Sequence, residues 1–168
     1  MIQWQYYPKS DSLPVHLEQV IEAFRSHEAE ITSAKHALPS NSVLRVIRTT
    51  IQAAGFTVET SKRAEERIKV PVLFGRNGSL EKYFDADGVN AATKTVLEVE
   101  AGRGVVNNDF LKHLFQACMM HDVDYFVVAV RLLYQKRNDF EVAYRFFDTL
   151  YASRRLELPL SGVLLLGY

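Results

Sequence analysis

Thr95-Val96-Leu97-Glu98-Val99-Glu100-Ala101-Gly102-Arg103 is an apolar strand pattern that carries two acids two residues apart. A strand alternates its side chains with period two, so Glu98 and Glu100 project to one face with Cα atoms roughly 6.5 Å apart, while Val96, Leu97 and Val99 supply apolar packing. Two ionised carboxylates at that spacing repel each other. A hard divalent cation such as Mg2+ relieves the repulsion, because it takes oxygen ligands.

Downstream of this strand, Asn107-Asn108-Asp109 offers helix caps, and Phe110, Leu111, Leu114, Phe115, Cys118 and Met119 recur at helical spacing. Tyr125 to Val130 is an almost continuous apolar run, the pattern of a central strand covered on both sides. A strand, a helix and a second buried strand predict a parallel pair joined by a crossover. Upstream, Ile68–Phe74 and Lys82–Asp87 read as a hairpin closed by Gly75-Arg76-Asn77-Gly78, followed by a turn from Gly88 to Lys94. Phe56 to Thr60 alternates as a further strand, and Ser61 to Arg67 is a charged connection.

The flanks are mainly helical. After a polar lead, Ser12 and Pro14 open a helix of roughly five turns through Leu17, Val20, Ile21, Phe24 and Ile31. A second helix begins at Val43 and stops at Ala54, with Gly55 as a left-handed cap. Asp139 to Ser153 is a last helix, and Gly162 to Leu166 a short strand. The sequence predicts an α/β (α+β) chain with a mixed central sheet flanked by helices. It is expected to form a single domain over residues 1–168 with its core at about 56–131.

Asp85 and Asp87 share a face of the strand entering the acidic segment, as Glu98 and Glu100 do on the strand leaving it. If those strands pair antiparallel, about 4.8 Å apart, an aspartate stands beside a glutamate and three carboxylates converge. Two readings follow. Either both strands show polar residues to water, or the carboxylates serve metal or acid–base chemistry.

The stretch from Asp87-Gly88 through Lys94-Thr95-Val96-Leu97-Glu98-Val99-Glu100, with the capped helix and apolar strand that follow, resembles the core of the PD-(D/E)xK restriction-endonuclease-like superfamily. The Glu-Val-Glu spelling is similar to the group that includes BamHI and BglII, where Glu or Gln replaces the usual lysine. The chain also resembles bacterial proteins of unassigned function that share Glu-Val-Glu-Ala-Gly-Arg and the tail here at Leu158 to Leu165. The superfamily resemblance implies Asp87 as central metal ligand, with Asp85 as its rival, and Glu98 as the second ligand. It puts Glu100 in the lysine position, where Glu100 can orient or deprotonate a water. Mg2+ or Mn2+ would be the cofactor, and hydrolysis of phosphodiesters, in DNA more readily than RNA, the activity. Lys94 or Lys112 can return a cation to the site, and Arg103, between two glycines, can contact a phosphate. The competing expectation is a nuclease-fold subunit without catalysis, serving binding or assembly in a nucleic-acid or defence system. A homodimer is a candidate arrangement, because a duplex has two strands and one such domain brings one site.

Composition limits the remaining classes. A hydrophobic content of 48% suffices for one packed core, and the single cysteine, Cys118, rules out an internal disulfide and a Cys-based zinc site. Lys plus Arg balance Asp plus Glu at 20 each, so the chain lacks the strong basic excess of many nucleic-acid binders. Basic residues do cluster locally, at Lys62, Arg63, Arg67 and Lys69, and recur at Arg131, Lys136 and Arg137. No apolar run reaches membrane-spanning length and no secretion signal opens the chain, so a soluble cytoplasmic protein with no membrane partner is expected. His113 and His121 read as ordinary helix histidines, since no H-E-x-x-H arrangement occurs. Trp4, Tyr6 and Tyr7 either stack on bases or fasten the chain to its core.

Overall fold

β7 (Tyr125–Val130) is the spine of the molecule, since every residue from Phe126 to Val130 is fully buried. It runs parallel to β6 (Thr95–Val99) on one side and to β8 (Gly162–Gly167) on the other. The helix α4 (Asp109–Met119) joins β6 to β7, which gives the predicted crossover. The computed structural model describes residues 1–60 and 66–168, so Lys62, Arg63 and most of the charged connection lie outside the described residues. Among the described residues the main sheet is ordered β1 (Gln3–Tyr7), β8, β7, β6, β5 (Gly88–Asn90), β2 (Thr57–Val58), with antiparallel pairs at both ends, and is therefore mixed as expected.

Period-two alternation on β6, β7 and β8 feeds two apolar layers. Leu97, Val99, Val127, Ala129, Leu164 and Leu166 meet α1 (Val15–Ser26) and α3 (Ser40–Ala53), whose inward stripes include Leu17, Phe24, Leu44 and Ile47. Val96, Phe126, Val128, Val163 and Leu165 meet α4 and α5 (Asp139–Ser153) through Phe110, Leu114, Ala143 and Phe147. Fully burying each such Val, Leu, Ile or Phe side chain contributes about 1.5–3 kcal/mol before the entropy of ordering it is subtracted. Glu98 and Glu100 occupy the even positions of the β6 alternation, so they share the α4 side with Val96.

Several sequence expectations change. In place of a polar lead, Gln3–Tyr7 forms an edge strand, β1, antiparallel to β8; Tyr6 and Tyr7 are buried, fastening the terminus to the core. The long first helix is two: α1 ends at Ser26, His27 takes φ −113° and ψ 13°, and α2 (Glu28–Ile31) adds a single turn. β2 shrinks to Thr57–Val58, and Gly88–Lys94 holds a short strand, β5 (Gly88–Asn90), before its turn. The hairpin of β3 (Ile68–Phe74) and β4 (Leu80–Ala86) forms as expected but as a separate two-stranded sheet. Consequently β4 does not pair with β6. The three-residue β5 does, with Gly88 opposite Leu97, and Asp87 sits where the chain passes from one sheet to the other. Among the described residues no helix is long and apolar enough to cross a membrane.

Candidate active site

Asp87 is tied to both of its neighbours in the main sheet. Its backbone C=O accepts from Glu59 N–H at 2.8 Å, and its carboxylate Oδ2 accepts from Val99 N–H at 2.8 Å. Extending the β5–β6 register by one residue puts Asp87 opposite Glu98. Glu100 lies just beyond β6, where its N–H donates to Ala129 C=O at 2.7 Å and its C=O accepts from Tyr168 Oη at 2.8 Å. These backbone bonds fix three carboxylate-bearing residues at the floor of one cleft of about 480 Å³.

The other wall is α4. Phe110, Leu114 and Ala117 face the core, which turns the stripe Asp109, Lys112, His113 and Gln116, spaced i, i+3, i+4, i+7, onto the cleft. His113 Nδ1 contacts Glu100 Oε1 and stands 3.7 Å from Glu98 Oε2, beyond hydrogen-bond reach. Lys112 Nζ is 3.8 Å from Asp109 Oδ1.

The structure brings Asp87, Glu98, Glu100, Asp85 and Lys112 to this cleft. Asp85 stays with the hairpin, its Oδ2 accepting from Arg67 at 2.8 Å, whereas Asp87 belongs to the carboxylate group on the main sheet. Lys94 and Arg103 are not brought to it. Lys94 precedes β6 and pairs with Asp122 at 2.8 Å and Asp124 at 3.6 Å, and Arg103 is exposed in the turns that follow Gly102. Two cleft residues escape the sequence reading. His113 reads there as an ordinary histidine, although its membership of a polar helical stripe opposite two buried acids is a usable signal. Glu59 follows a two-residue strand whose partner is known only from topology, so no local pattern marks it.

Burial dominates the electrostatics. Desolvation, reinforced by the charges of Glu59 and Glu100, pushes the Asp87 carboxyl up to about 6 against the opposing pull of Val99 N–H. Glu98 is raised well above the usual carboxylate range, by burial first and then by Asp87 and Glu100, while Lys112 opposes the shift. Glu59, Asp85, Asp87, Glu98, Glu100 and Asp109 line the cleft against Arg67 and Lys112. That donor chemistry, acidic oxygens short of positive charge, fits a hard divalent cation. Among the described residues no three ligands already close into a cage. Val99 holds Asp87 Oδ2 and His113 holds Glu100, which leaves Asp87 Oδ1 and Glu98 as the least engaged donors of these three acids; on the hairpin side of the cleft, Asp85 Oδ1 is also without a hydrogen-bond partner among the described residues.

No family model matches the chain, and no curated protein matches it. Among solved structures it is similar to the crystal structure of free BglII, over 99% of this chain and 78% of that one, with a TM-score of 0.52 at 12% sequence identity. The likeness is one of fold: the mixed sheet flanked by helices is restriction-endonuclease-like.

Proposed function

We propose that this chain is a metal-dependent nuclease that hydrolyses phosphodiester bonds of DNA, with Asp87 and Glu98 as the ligands of Mg2+ or Mn2+ and Glu100 as the third catalytic carboxylate. The observation that carries the reading is the meeting of these three acids on one cleft floor, with Asp87 and Glu98 shifted toward protonation by burial and by neighbouring carboxylates. A bound cation would supply Lewis-acid polarisation of the phosphodiester and a water acidic enough to attack phosphorus. Glu100 would orient that water and accept its proton. Lys112 sets a positive charge against Glu98, and Tyr83 and Arg67 form part of the wall beside the carboxylates. Cutting both strands of a duplex takes two such clefts, so double-strand cleavage would be the work of two copies.

One observation favours a second reading, a nuclease-fold binding or assembly subunit without turnover. By the sequence resemblance Glu100 takes the usual lysine position, and the cleft's Lys112 lies on the helix opposite, beside Asp109. Incubation of the purified chain with plasmid, single-stranded DNA and RNA separates the two. A nuclease is expected to convert DNA in Mn2+ and to lose that activity in EDTA. Intact substrates under every condition, at stoichiometric protein, would favour the subunit.

A further inference from the structure

Glu100 is restrained on more than one side. Its backbone is fixed by Ala129 and Tyr168, and Gly104 packs so closely that a Cβ there would lie 2.5 Å from Oε2 and 2.9 Å from the Glu100 Cβ. His113 Nδ1 takes Oε1. An ionised carboxylate only accepts hydrogen bonds, so Nδ1 is assigned as the donor. The imidazole is itself held by α4, whose neighbouring Leu114 is 1% exposed, and its side chain retains only 20% exposure. It therefore has little freedom to follow Glu100 if Glu100 moves. The same ring stands 3.7 Å from Glu98 Oε2, between the two glutamates of the acidic strand.

We propose that His113 is a positioning residue for the carboxylate cluster: by donating from Nδ1 it clamps Glu100 in one orientation and holds it off Glu98, leaving Glu98 and Asp87 to the cation. The inference rests on the reading of this cleft as a cation site. The imidazole puts a nitrogen donor on Glu100, but from the helix rather than the strand. Its role is hydrogen bonding and spacing, with no proton exchange required.

Two substitutions test this in the full chain. His113→Ala removes the donor and lets Glu100 swing toward Glu98, and titration calorimetry is expected to show Mn2+ binding weakened by about 10–100-fold, the usual cost of losing a hydrogen bond that orders a metal site from outside its ligands. His113→Asn keeps an N–H near the place of Nδ1 and has no titrating group, so its Mn2+ affinity is expected to stay close to that of the unchanged protein. An asparagine variant as weak as the alanine variant, or an alanine variant as tight as the unchanged protein, overturns the inference. A readout independent of metal is the nitrogen-15 spectrum of the imidazoles at about pH 8, where an unclamped histidine is neutral. Nδ1 of His113 is expected to carry the proton, with a resonance that moves in Glu100→Gln; a proton on Nε2 alone overturns the inference. A chain that binds no Mn2+ overturns the cation reading, and the spectrum then decides the role of His113 by itself.

Discussion

Glu98→Gln is expected to lower Mn2+-dependent DNA cleavage by about three orders of magnitude while leaving the protein folded. The substitution keeps the shape of a side chain that is 6% exposed, and it removes a charge that the apo cleft disfavours. Stability in the absence of metal should therefore rise rather than fall. The loss of cleavage comes from the cation. Lewis-acid stabilisation is worth several kcal/mol of barrier, and about 1.4 kcal/mol corresponds to each tenfold in rate. Asp87→Asn is expected to act in the same direction, with Oδ1 still able to accept from Val99 N–H after amide rotation. Cleavage that survives both substitutions would remove Asp87 and Glu98 from the mechanism.

Stability is expected to depend on pH through the same two residues. Asp87 titrates at about 6 in the folded chain, against an ordinary value of 3.8. Between those values the folded state holds a proton that the unfolded state releases, so stability falls as pH rises. Below the unfolded value the penalty is absent. Above about 6 it is complete, on the order of 3 kcal/mol, since each tenfold difference in proton affinity between the two states is worth about 1.4 kcal/mol. Glu98, raised by burial and by Asp87 and Glu100, contributes with the same sign. Other carboxylates work the opposite way: Glu28, beside the N-terminal ammonium, and Asp122, beside Lys94, are held below their ordinary values. The contribution of Asp87 is therefore read as a difference, from urea unfolding of the unchanged protein and Asp87→Asn between about pH 5 and 8. The variant is expected to gain stability over the unchanged protein as pH rises. Mn2+ should close that gap, since a ligand at a hundred times its Kd stabilises by about 2.7 kcal/mol. A gap that stays constant across this range would show that Asp87 is not desolvated.

How much of this was legible in the sequence differs by element. The β6–α4–β7 crossover was readable because its cues are local, an unbroken apolar run at Tyr125–Val130 and apolar residues from Phe110 to Met119 at helical spacing, although Phe115 and Met119 are exposed; the caps expected before it do not form, since Asn108 takes a left-handed conformation and its side chain makes no cap hydrogen bond. β1 was not, because Gln3–Tyr7 is a strand only through its pairing with β8 at the far end of the chain. Gly88–Asn90 carries turn-favouring residues, and these hid β5. The strand beside β6 is therefore not the one the pattern suggests, yet Asp87 still reaches Glu98, because the shift of sheets occurs at Asp87 itself. Period two was enough to pair Glu98 with Glu100. Asp85 and Asp87 share the same spacing, but the pattern could not show that one stays with the hairpin and Arg67 while the other joins the main sheet. His113 and Glu59 reach the cleft from a helix stripe and a strand end, and only the tertiary arrangement turns them onto the acids.

Titration calorimetry of Mn2+ into the unchanged chain and into Glu98→Gln bears most directly on the claim that this cleft is a metal centre. Saturable heat is predicted for the unchanged chain and its loss for the variant. Equal heats in both proteins, or none in either, would contradict it.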